Sequence, residues 1–187
     1  MKSDRRVRYT RMVLKNALID LMYEKPIGKI TVKELCEKAD VNRGTFYSHY
    51  IDQFDLQKQI FDELVGGIDQ IMDSSYFSAN IERSGEMLTR IYGYLQDNKH
   101  IVMAMLGENC TIELQGEILA FLKGKNIFGS LLLQPDIMEY LYAFTASGCL
   151  GVVRRWLIDG KESAEEIARF VAMATTQGVL GLARKGL

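Results

Sequence analysis

The chain has 187 residues, 48% of them hydrophobic and 25% charged, with a formal net charge of −1. That apolar content supports a substantial core, while 2 prolines and no long polar run exclude an extended disordered tail. Three widely spaced cysteines (Cys36, Cys110 and Cys149) exclude a CxxC or Cys/His zinc cluster, and no apolar run reaches the roughly eighteen residues of a membrane span. The charge is unevenly placed. Residues 1–51 hold eleven Lys/Arg against six Asp/Glu, a net +5, which leaves −6 for the remainder. A basic head on an acidic body suits a protein whose head alone meets phosphate. The polar start MKSDRRVRYT carries no leader pattern, so a cytoplasmic protein is expected.

The first predicted element is an amphipathic helix from Asp4 to Glu24, with Leu14, Ala17, Leu18 and Leu21 at three-and-four spacing. Lys25-Pro26-Ile27-Gly28 stops it. Thr31 and Glu34 then have capping-box spacing, and Val32, Leu35, Cys36 and Ala39 form the apolar stripe of a second helix. That stripe makes Cys36 a core residue, whereas a redox role stays open for Cys110 and Cys149. Asp40-Val41-Asn42 breaks the helix, with Val41 as the plug and Asn42 as the N-cap of a third. On that short helix Phe46, His49 and Tyr50 share an inward arc. Arg43, Gly44, Tyr47 and Ser48 share the free one. A basic residue, a glycine and hydroxyls on the free face are what the second helix of a helix-turn-helix needs.

Asp52 is placed to cap a long helix carrying Phe54, Phe61, Leu64, Val65, Ile68 and Met72, and Gly66-Gly67 predicts a bend inside it. Four more helices follow: Ile81 to Asp97; a short one capped by Asn98 and ending near Met105; about Thr111 to Phe128; and Pro135, a first-turn proline, to Ile158. Asp159-Gly160 ends the last of these. Ser163-Ala164-Glu165-Glu166 starts a final helix to about Arg184. No strand and no repeat is visible, so the fold class is all-α. Gly148 and Gly151 on one late helix, and Ala174, Gly178 and Gly181 on the last, place small residues where two helices can approach closely. This spacing fits a dimer interface formed with a second copy, or tight packing within one subunit.

The run Ile30-Thr31-Val32 through Val41-Asn42-Arg43-Gly44-Thr45-Phe46-Tyr47-Ser48-His49-Tyr50 resembles the DNA-binding segment of TetR family transcriptional regulators, which reads about T-V-x-x-I-A-x-x-A-G-V-S-x-G-T-F-Y-x-H-F. The likeness covers about fifty residues. Asp40 stands for the usual glycine, Asn42 for the usual serine, and Gln53 for a common lysine. A second, weaker likeness is the W-L-x-x-G run Trp156-Leu157-Ile158-Asp159-Gly160.

The resemblance implies a TetR-like architecture. A three-helix helix-turn-helix head over residues 1–51 would bind DNA, and a helical bundle over 52–187 would dimerise and bind an effector. Arg43 is the candidate for reading guanine in the major groove, and Gly44 lets the backbone approach the duplex. Thr45 and Tyr47 match positions that touch phosphate or a base edge. Thr31 and Lys33 face phosphate near a helix start, with Lys29 adding a backbone contact and Asn42 capping the reading helix. Lys58 is a substitute for the lysine replaced by Gln53. The effector-lining candidates are Tyr92, Met103, Met105, Phe121, Tyr140, Phe144 and Trp156, all equally readable as bundle core.

The expected partners are double-stranded DNA with a palindromic operator, a second copy of the chain, and a small apolar or amphipathic effector; no membrane is expected. No G-x-S-x-G, P-loop, H-E-x-x-H or dinucleotide fingerprint appears, so no enzyme activity, metal or cofactor is expected. The alternative is a helical effector- or protein-binding bundle whose head has lost DNA binding.

Overall fold

The computed structural model describes residues 2–72, 81–107, 112–125 and 134–184, and their regular structure is helical throughout. The helices are α1 (Lys2–Glu24), α2 (Val32–Ala39), α3 (Arg43–Tyr47), α4 (Gln53–Ile71), α5 (Ile81–Asp97), α6 (Lys99–Leu106), α7 (Ile112–Gly124), α8 (Pro135–Asp159) and α9 (Ala164–Arg184), with a 3-10 turn at Ile27–Lys29. The all-α expectation holds. The continuation of the seventh helix to Phe128 lies outside the described residues.

Packing divides the chain into two compact units, residues 1–66 with 100–110 and residues 67–99 with 111–187. Helix α4 is shared between them and α6 belongs to the first, whereas the sequence reading puts both after residue 51. In the N-terminal unit α1 packs on α2 and α2 on α3. Leu14, Leu18, Ile30, Leu35, Phe46 and Leu56 are among its fully enclosed side chains. Ion pairs brace its surface: Lys25 with Glu34, Lys38 with Glu24 at 3.1 Å, and Lys15 with Glu63 at 2.8 Å. Helix α6 is tied to the end of α1. The Tyr23 hydroxyl donates to the His100 carbonyl at 2.9 Å, and the two rings stack with centroids 5.1 Å apart.

In the C-terminal unit α5 packs on α9, α7 on α8, and α8 on α9. Tyr92 meets Trp156 edge-on at 5.4 Å, and the Trp156 indole N–H donates to the Glu162 carbonyl at 2.8 Å. That bond ties the end of α8 to the α8–α9 connection. Gly160 ends α8 in the left-handed conformation (φ 60°) and donates its N–H to the Trp156 carbonyl. Ser163 and Glu166 open α9 with reciprocal hydrogen bonds of 2.8 and 3.2 Å, the capping box their spacing predicts.

Two of the sequence signals take a definite local form. Asn98 closes α5: its side-chain amide donates to the Tyr94 carbonyl at 2.8 Å, as does its backbone N–H at 3.1 Å. Gly66-Gly67 does not break α4, which is continuous from Gln53 to Ile71. A Cβ on Gly67 would overlap the Tyr94 hydroxyl as it now sits, so a larger residue there requires the tyrosine to move.

Candidate nucleic-acid interface

The helix-turn-helix is set by caps. Thr31 accepts the Glu34 N–H at 3.2 Å, and the Glu34 carboxylate accepts the Thr31 N–H at 2.9 Å. The Lys25 ammonium beside Glu34, followed by the Thr31 donors, holds its carboxyl down at about 2. At the other end of α2, Asp40 turns left-handed (φ 51°, ψ 49°) and donates its N–H to the Cys36 carbonyl. The Val41 N–H reaches the same carbonyl at 3.0 Å. Asn42 then accepts the Thr45 N–H at 2.7 Å and starts α3.

Phe46 is completely buried and Tyr50 nearly so, which seats the inward arc of α3 in the core. His49 is half-exposed, less enclosed than its arc predicts. The free arc stays open: Arg43, Gly44, Tyr47 and Ser48 are exposed, Tyr47 by 59%. The Ser48 hydroxyl is engaged, donating to the Thr45 carbonyl at 2.7 Å. A Cβ on Gly44 would stand 3.3 Å from Asn42 Oδ1, so glycine also spares the cap of its own helix.

A cleft of about 370 Å³ lies between the outer face of α2 and the start of α3, lined by Lys33, Cys36, Glu37, Asp40, Val41, Asn42 and Arg43. It brings together Lys33 and Arg43, two of the expected DNA-contacting cations. Lys33 has Glu37 at 3.8 Å. Arg43 joins no ion pair among the described residues, so its guanidinium is available to a ligand. Thr31 and Lys29 are exposed at the start of α2 and on the preceding turn, and Thr45 is half-buried.

The start of α4 differs from the basic one that the resemblance implies. Asp52 Oδ1 accepts the N–H groups of Phe54 and Asp55 at 2.9 Å, and Asp55 accepts that of Ile51 at 2.9 Å. Donors that could meet a phosphate at this helix start are therefore filled by the chain's own carboxylates. The D-x-x-D spacing of Asp52 and Asp55 was the available signal for these two caps. Lys58 pairs with Asp62 at 3.0 Å, one turn along α4.

The effector candidates fall in both units. Met105 is buried in the N-terminal unit, and Met103 is half-buried on the same helix. Tyr92 and Trp156 fill the interior of the C-terminal unit against each other, and Phe121 lies half-buried under the Lys125 ammonium. Tyr140 and Phe144 are 73% and 74% exposed on the outer face of α8. That face continues through Gly148, Gly151 and Ile158, with the two glycines open to solvent. Phe170, Met173 and Ala174 are exposed on α9. The surroundings of Gly178 and Gly181 lie outside the described residues. Cys149 is half-buried and its thiol is pushed up to about 11 by desolvation, which disfavours a reactive thiolate; Cys110 lies outside the described residues.

Residues 82–177 match the family described as Transcriptional regulator C-terminal region. An HTH-type transcriptional regulator of Bacillus subtilis, YxbF, is 32% identical over 63 residues, which is 34% of this chain and 17% of that protein. The chain is similar in fold to a TetR transcriptional regulator from Streptococcus agalactiae, with a TM-score of 0.65, 22% identity, and coverage of 94% of this chain and 98% of that one. It is also similar to a TetR-family regulator from Syntrophomonas wolfei, with a TM-score of 0.70, 16% identity, and coverage of 94% and 97%. No described helix is long and apolar enough to cross a membrane.

Proposed function

The chain belongs to the TetR family of transcriptional regulators, and from that premise we propose that it is a sequence-specific DNA-binding repressor. It acts as a homodimer and is released from a palindromic operator by a small apolar or amphipathic effector. The observation that carries the reading is Arg43. Its guanidinium opens a capped helix whose opposite arc is locked into the core, and no described carboxylate is close enough to hold it. Such a side chain can give two parallel hydrogen bonds to guanine O6 and N7 in the major groove. Lys33 and the hydroxyl of Thr31 serve phosphate, which positions the head without specifying sequence.

The exposed stripe on α8 and α9 supports dimerisation, because contiguous apolar side chains left in water mark an interaction surface. A two-fold dimer places two reading helices in major grooves about 34–36 Å apart. An effector acts by favouring a state with a different head spacing, which lowers the population able to bind DNA.

The test is a selection of random duplexes against the purified chain at low salt, where phosphate contacts are strongest. An enriched palindrome with a guanine dependent on Arg43 is expected. Arg43→Ala should cost about 1–3 kcal/mol at that site and relax one base position. No enrichment would favour a bundle whose head no longer binds DNA.

A further inference from the structure

Asp40 combines a left-handed backbone, which its cap bonds to the last turn of α2 support, with a carboxylate that has no ion-pair partner among the described residues. Its backbone is left-handed, and it is the one non-glycine residue with positive φ among the described residues. A side chain there crowds the following carbonyl, and glycine would remove the strain. Its carboxylate also stands at the C-terminal end of α2, where the helix dipole already places partial negative charge. Asp40 is exposed and joins no ion pair among the described residues. It borders the cleft that Lys33, Glu37 and Arg43 also line. Two cations and two carboxylates thus share this cleft, which is electrically balanced inside a segment that carries a net +5.

We infer that Asp40 is an affinity-setting residue: its negative charge opposes DNA phosphate at the reading face and keeps the complex weaker than the basic head would otherwise make it. The inference rests on the DNA-binding reading above. Asp40 precedes Arg43 by three residues, so it comes within about a Debye length of phosphates beside the reading helix, about 10 Å at 0.1 M salt. A like charge at that range subtracts from phosphate attraction without touching base readout. Effectors typically change affinity by about 5- to 150-fold, and a complex held weak is one that such a change can dissolve.

The experiment titrates the full chain with the duplex its own selection enriches, at about 0.1 M and about 0.4 M salt. Asp40→Asn removes the charge and keeps a residue that tolerates left-handed backbone, Asp40→Gly removes charge and strain together, and Asp40→Glu keeps the charge. The Asn and Gly variants should bind about three- to tenfold more tightly at the lower salt. Their gain should shrink at the higher salt as the salt slope steepens by about one. The Glu variant should stay at the wild-type affinity. Asn and Gly variants that bind no better than wild type overturn the inference, as does a Glu variant that gains as much as they do. A wild-type chain that enriches no duplex sinks the DNA-binding reading itself, before any variant is compared.

Discussion

At the scale of single residues, the helix starts in the head are set by polar side chains that bond within one helical turn. Glu34 is the most charge-sensitive of them. Lys25 and Thr31 hold its carboxyl down at about 2, from an ordinary value of 4.5. A carboxyl depressed in the folded state stabilises fully above its unfolded pKa, and the contribution disappears as pH falls through the folded one. Stability supplied by Glu34 is therefore intact above about pH 4.5 and lost between that pH and about 2. Urea unfolding of wild type and Glu34→Gln should differ at neutral pH and converge across that window. Curves that stay equally far apart down to pH 2 would mean the carboxylate charge is not what matters. Thr31, Glu34 and Asn42 were legible in the sequence, because a cap and its partner sit three residues apart. The Lys25 partner was not, because it arrives from the end of α1 across a turn.

At the scale of elements, α4 is the informative helix. Its glycine pair reads as a weak point, yet the helix is continuous and Gly67 accommodates the Tyr94 hydroxyl from α5. Gly67→Ala should destabilise the chain by about 1–3 kcal/mol through overpacking. In a Tyr94→Ala background the same change should become neutral, or stabilise by up to about 1 kcal/mol through helix propensity. Chemical denaturation of the four proteins in a double-mutant cycle measures this coupling. Additive effects would show that Gly67 is not small on account of Tyr94. The period of the apolar residues predicts the helices well, since it depends only on residues three and four apart. It does not predict which helix supplies the neighbour that a glycine makes room for.

At the scale of the whole molecule, the stripe of Tyr140, Phe144 and Ile158 on α8 with Phe170 and Met173 on α9 stays exposed in the single chain. Covering it with a second copy would remove this surface from water, and the open Gly148 and Gly151 would let the helices approach closely. Phe144→Glu combined with Phe170→Glu should give a monomer in multi-angle light scattering, with unchanged far-UV circular dichroism because neither side chain is part of the core. A persistent dimer would place the seam elsewhere. The sequence marks small residues on α8 and α9 as a seam, and it also offers Tyr140 and Phe144 as pocket lining. Both aromatics lie on the open face of the single chain, while Tyr142, Ala146 and Val153 take the buried one.

The sequence by itself determined the all-helical class, the helix-turn-helix with its caps, and the position of Arg43 at the start of α3. Each follows from chemistry between residues within about four positions of one another. The tertiary structure decided the rest. It placed Met105 and α6 in the N-terminal unit, buried Tyr92 against Trp156, left Phe144 in water, and put Asp40 on the same cleft as Arg43. Which of two apolar faces is covered, and which charges become neighbours, depends on contacts between residues distant in the chain, and helical period carries no record of them.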